Sequence, residues 1–123
     1  MLPNAVGWFE IYVDNMDRAK KFYESVFTTK LEKLNTPGIE MWSFRGDMNV
    51  YGAPGALVKM SGVNAGGNSV LVYFSCQNCE IEEKNVLAAG GKVKKSKFAI
   101  GQYGFISLVY DTEGNMFGLH SLE

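Results

Sequence analysis

Glu10 sits between two aromatic residues on one side of a strand-like run, and that side looks able to do chemistry. Over Val6–Val13, Phe9, Ile11 and Val13 alternate onto one apolar face. Trp8, Glu10 and Tyr12 share the other, aromatic but tipped with polar atoms, as in the wall of a ligand cavity. Tyr73, on a later strand-like run, and Trp42, which shares a face with Glu40 and Phe44, extend the set of candidate binding rings. Such rings hold small flat or cationic molecules; equally, they fill cores and dimer interfaces. His120 is the only histidine, and with Glu10 it is the best material for proton transfer. Cys76-Gln-Asn-Cys79 has the spacing of a thiol–disulfide centre at a helix start, where the helix dipole lowers a thiol's pKa. A second cysteine pair for zinc is lacking, and structural cysteines at a strand end are the simpler reading.

These side chains need positioning elements. Asp14-Asn-Met-Asp17 offers N-caps, and Ala19, Phe22, Tyr23, Val26 and Phe27 recur at helical spacing, which predicts an amphipathic helix over 16–27. Short strands are expected around Gly38–Arg45, Met48–Gly52 and Ala56–Met60, with turns at Gly46-Asp47 and Ala53-Pro-Gly55. Ser61–Asn68 reads as a linker. The pattern then restarts. A strand is expected over Ser69–Ser75, then a helix over Asn78–Ala89 with Ile81, Val86 and Ala89 inward and Gly90-Gly91 ending it. A strand over Lys92–Lys97 and a hairpin of Phe105–Tyr110 with Asn115–His120 about Asp111-Thr-Glu-Gly114 complete the chain. At an offset of 63 residues Asn78 falls on Asn15, Glu80 on Asp17, Phe74 on Ile11 and Gly91 on Thr28. A βαβββ module used twice, about 1–62 and 67–123 within a single domain, is the expected α+β architecture.

Composition narrows the function classes. The chain has 123 residues, 46% hydrophobic, with 12 basic against 13 acidic residues. That balance gives no electrostatic grip on nucleic acid or an anionic membrane, and Lys92–Lys97 reads as a solvated strand end. No run approaches the ~20 apolar residues of a membrane span. Met1-Leu-Pro-Asn4 lacks the basic-then-apolar order of a signal peptide, so a cytoplasmic location is expected. Gly101-Gln-Tyr-Gly104 lacks the spacing of a phosphate loop.

Three stretches carry a family likeness: Trp8-Phe-Glu-Ile-Tyr-Val-Asp-Asn-Met-Asp-Arg-Ala-Lys-Lys-Phe-Tyr23, Ala89-Gly-Gly-Lys-Val93 and Asp111-Thr-Glu-Gly-Asn-Met-Phe-Gly-Leu119. Through them the chain resembles the vicinal oxygen chelate superfamily of glyoxalase I, bleomycin-resistance proteins and extradiol dioxygenases. The resemblance implies a cupped mixed sheet of two βαβββ modules, often completed by a homodimer, with substrate and a divalent metal in the cup. It also places the family's metal ligands at Trp8, Leu71 and Gly118, none of which binds a metal through its side chain. Thr28 stands where a helix-ending glycine is usual, and Thr112 where the turn usually has proline.

With Trp8 and Gly118 facing the cup, strand alternation takes Glu10, Tyr12, Met116 and His120 there too. The first expectation is therefore a dimeric small-molecule binder with no metal or other cofactor, its ligand held by Trp8, Tyr12, Trp42, Tyr73 and Met116. The alternative is a lyase- or isomerase-type enzyme using Glu10 and His120 as acid–base pair, or a relocated divalent metal. In a third reading the cup is filled by its own side chains and only the dimer surface matters.

Overall fold

The computed structural model describes residues 8–47, 49–68 and 70–123, Tyr103 by its backbone alone. Val6 and Gly7 of the expected first strand, Met48 of a middle one and Ser69 of the restart lie outside these residues.

Two four-stranded sheets of the same topology make up the frame. In the first, β1 (Phe9–Tyr12) runs parallel to β4 (Gly55–Lys59), which pairs antiparallel with β3 (Glu40–Ser43), and β3 with β2 (Glu32–Lys33), in the order β1-β4-β3-β2. In the second, β5 (Tyr73–Ser75) runs parallel to β8 (Met116–Ser121), followed by antiparallel β7 (Phe105–Tyr110) and β6 (Lys92–Ala99). Helix α1 (Met16–Phe27) follows β1, and α2 (Cys79–Ala88) follows β5. The 63-residue offset is visible at the caps: Asn15 Oδ1 accepts from the Arg18 N–H at 3.0 Å and Asn78 Oδ1 from the Glu80 N–H at 3.0 Å. Each satisfies an N–H that the helix start would otherwise leave unpaired.

One core joins both halves. Ile11 of β1 and Val13 just beyond it, Phe22, Tyr23 and Val26 of α1, Val86 of α2, and Val109, Phe117 and Leu119 of the second sheet pack together in it. Phe22 and Tyr23 meet Phe117 with ring centroids 6.2 and 5.5 Å apart, the first edge-on, so α1 is bound into the second sheet as well as the first.

Several boundaries differ from expectation. Residues 49–52 form a turn, because Asp47 Oδ1 accepts from the Asn49 N–H at 2.8 Å and closes the chain locally before a ladder can form. The strand missing from the sequence reading is β2, whose two residues are too few to show alternation. Ile81 is exposed, against its expected place in the core. The inward face of α2 runs from Cys79 to Val86, both 0% exposed, and Ile81 lies about 200° round the axis from Cys79 at 100° per residue. Between them Glu83 also points at the sheet, accepting from the Lys97 N–H at 2.9 Å and the Ser107 hydroxyl at 2.8 Å. A carboxylate on an inward face is invisible to an apolar-spacing rule.

Thr28 ends α1 in the left-handed region, φ 51° and ψ 55°, its N–H bonded to the Glu24 carbonyl. A β-branched residue is strained there, so Thr28→Gly is expected to stabilise the fold by about 0.5–1 kcal/mol, even after glycine's extra unfolded-state entropy. Chemical denaturation reads this directly: an unchanged or lower midpoint would contradict it.

Candidate functional site

The second face of β1 is built as its alternation implies. Glu10 accepts from both neighbours on that face, from the Tyr12 hydroxyl at 2.7 Å and the Trp8 indole N–H at 3.3 Å. The bond to Glu10, then partial burial, raises the Tyr12 pKa, which keeps the phenol protonated as the donor. Among the described residues no lysine or arginine forms an ion pair with Glu10.

Two cavities adjoin this carboxylate. The larger, about 1050 Å³, lies between β1, the Phe44–Asp47 and Val50–Gly55 stretches and the 70–75 segment, with Phe9, Phe27, Phe44, Val72 and Phe74 on its apolar walls and Trp8, Tyr51 and Tyr73 as its more exposed rings. The smaller, about 320 Å³, is walled by Tyr12, Tyr23, Asn68, Asn115 and Met116. Glu10, Val70 and Val72 line both.

The predicted site residues therefore divide. Trp8, Glu10 and Tyr73 line the larger cavity; Glu10, Tyr12 and Met116 line the smaller. Trp42 joins neither. It lies on the helix-facing side of β3 with the Lys20 ammonium 3.3 Å from its ring centroid, because the register pairs it with Leu57, a core residue, while Met41 and Ser43 take the other face. His120 lines neither cavity; on β8 it stands opposite Ser75 and Ile106. The strands beside β8 are β5 and β7, so β1 and β8 do not share a ladder across which Glu10 and His120 would be direct neighbours. Sequence reasoning missed Phe44, Arg45, Asp47 and Tyr51, whose loop it had assigned to strand and turn.

The closing turn fixes where β1 and α1 begin relative to the second sheet. Glu113, its side chain fully buried, accepts from the Asp14 and Asn15 N–H groups at 3.1 and 2.9 Å and pairs with Arg18. Burial alone would raise its pKa, but Arg18 and the two backbone donors hold it below the usual carboxylate range. Asp111 accepts from the Tyr23 hydroxyl at 2.7 Å and from the Glu113 and Asn115 N–H groups at 2.8 and 2.9 Å; burial nevertheless keeps its pKa raised. Asn115 Nδ2 donates to the Tyr12 carbonyl at 2.9 Å, tying the turn to the strand that carries Glu10.

The cysteines have no redox geometry. Both are free, and Cys79 is buried with its sulfur 3.1 Å from the Ser121 hydroxyl. Burial, and then the Glu82 carboxylate, push the Cys76 thiol far above its ordinary pKa, the opposite of an activated thiolate.

The sequence profile of the Glyoxalase/Bleomycin resistance protein/Dioxygenase superfamily matches residues 5–119. The chain belongs to this superfamily. Similar solved structures share the fold at low identity. One is a hypothetical protein from S. aureus, 16% identical, with a TM-score of 0.67 over 96% of this chain and 94% of that one. A glyoxalase/bleomycin resistance protein/dioxygenase family enzyme from Burkholderia phytofirmans PsJN is 16% identical, TM-score 0.69, covering 95% and 98%. Glyoxalase I from Zea mays is 22% identical, TM-score 0.73, over 93% of this chain but 43% of its own length. No curated protein matches the chain.

The superfamily's metal does not fit the residues at its usual positions. Trp8 offers an N–H donor already used on Glu10, and Leu71 offers no donor atom. Gly118 has no side chain to offer, and the Tyr73 ring lies over the place a Cβ would take. Among the described residues no three His, Cys, Asp or Glu side chains gather at metal-binding distance.

Proposed function

We propose that the protein binds a small organic molecule in the larger cavity, without the superfamily's usual metal. The cavity itself carries this reading: about 1050 Å³, largely apolar and aromatic, with a few polar groups led by the fixed Glu10 carboxylate. Ligand sites have this composition, in which apolar walls supply affinity and few polar groups set orientation. The reading takes residues 1–123 as one domain of two modules, about 1–62 and 67–123, acting as a cytoplasmic homodimer. The free cysteines fit a reducing compartment, and no helix among the described residues is long and apolar enough to cross a membrane. Lyase or isomerase chemistry by Glu10 and His120 draws less support, since only Glu10 lines the cavities.

A fragment panel tests the reading by melting temperature, with and without EDTA. Binders are expected to raise Tm equally in both conditions and to lose their effect in Val72→Trp, which fills the cavity from its wall. Ligands that require stoichiometric metal, or none that depends on Val72, would sink it. Turnover abolished by both Glu10→Gln and His120→Ala would instead favour the enzyme.

A further inference from the structure

The charge pattern of the two cavities narrows the ligand class, and this step rests on the larger cavity being the binding site. Among the described residues, Glu10 is the only charged one on the wall of the smaller cavity. In the larger, Glu10 is joined by Arg45 and Asp47, two residues apart in sequence, so its described wall carries a net negative charge. The charge common to both spaces is thus the Glu10 carboxylate, which has no lysine or arginine ion-pair partner among the described residues. Its position is fixed by two donors, one on each oxygen, so each oxygen keeps a lone pair free to accept from a ligand. Both donors are neutral, so they orient the charge without cancelling it. Aromatic faces beside such a carboxylate favour a cation twice, through the ring quadrupole and through a charge-assisted hydrogen bond.

We propose that the larger cavity selects a flat organic monocation, its N–H groups donating to Glu10 and its apolar body lying between the Phe44 and Phe74 side and the exposed rings of Trp8 and Tyr73. Anions meet the opposite preference, because the described wall carries two carboxylates, Glu10 and Asp47, against the single guanidinium of Arg45.

Three planar tricycles of nearly the same size separate charge from shape: proflavine, a monocation at pH 7.5; acridine, neutral; and acridine-9-carboxylate, an anion. Calorimetric titration is expected to give proflavine the tightest binding, about tenfold over acridine, as one charge-assisted hydrogen bond allows. The preference should shrink at high salt. Glu10→Gln, which keeps an acceptor for Tyr12 and all the rings, should abolish the tenfold preference, so that on this variant proflavine binds no more tightly than acridine. Equal affinity for cation and neutral molecule overturns the inference, as does a cation preference that survives Glu10→Gln. Failure of all three tricycles overturns it too. In each of these cases, Val72-dependent fragment binding independently shows whether the cavity is a ligand site of some other preference.

Discussion

Asp111→Ala is expected to destabilise the protein by about 3–5 kcal/mol, the largest loss from any single polar side chain here. Asp111 is 5% exposed and accepts four hydrogen bonds: from the Glu113 and Asn115 N–H groups, the Tyr23 hydroxyl and the Asn115 side-chain amide. Truncation leaves these donors buried and unmet, and each unmet donor costs far more than an average hydrogen bond gains. The Tyr23 hydroxyl belongs to the ring that packs against Phe22, Phe44 and Phe117, so the loss reaches the shared core. Asp111→Asn should recover part of the deficit, since its carbonyl oxygen can still serve the two backbone N–H groups. Urea denaturation of wild type and both variants checks this; a loss under about 1 kcal/mol for the alanine would mean that water satisfies the turn instead.

Gly91→Ala is expected to cost about 2–4 kcal/mol, although its backbone lies outside the left-handed region. An added Cβ would come 2.7 Å from Val86 Cγ1 and 2.8 Å from Phe22 Cε1, and would press on the Tyr110 carbonyl. The last contact is with backbone held in the β6–β7 ladder, which cannot yield as a side-chain tip can. Its neighbour gives the contrast. Gly90 has φ 95° but faces only Thr112 Cγ2 at 3.5 Å, so Gly90→Ala should lose about 1 kcal/mol, from backbone strain alone. Reversal of that order in a pair of thermal melts would show that conformational strain, and not crowding around Gly91, dictates the double glycine.

Both predictions concern residues that the sequence marks without explaining. Asp111 and Gly114 are legible as a turn because carboxylates bond nearby amides and glycine accepts positive φ; Gly114 indeed has φ 80°. That the same turn reaches across to Asp14, Asn15 and Arg18 through Glu113 is not legible, since those partners lie some 95 or more residues away in the chain. Gly91 reads as the end of a helix, whereas a Cβ there is barred by the Tyr110 carbonyl, Val86 and, from the other half, Phe22. At the candidate site, Trp8, Glu10 and Tyr12 could be grouped from alternation alone, because a strand's faces follow from its covalent geometry.

The amino-acid sequence by itself thus determined the local terms: α1 from its caps and apolar spacing, the closing hairpin, the β1 face carrying Glu10, and through its motifs the superfamily and the absence of metal-ligating side chains at the usual positions. Only the tertiary structure decided which faces meet. It turned Trp42 toward α1, because the β3–β4 register sets it opposite Leu57. It set Glu10 on the wall of both cavities and His120 on neither, because β5 and not β1 adjoins β8. It also put Phe44–Asp47 and Val50–Gly55 on a cavity wall, with the Asp47 carboxylate bonded to the Asn49 N–H. Periodicity reports how a residue is oriented on its own element. The order and register of strands brought together from distant parts of the chain depend on packing that no local spacing encodes.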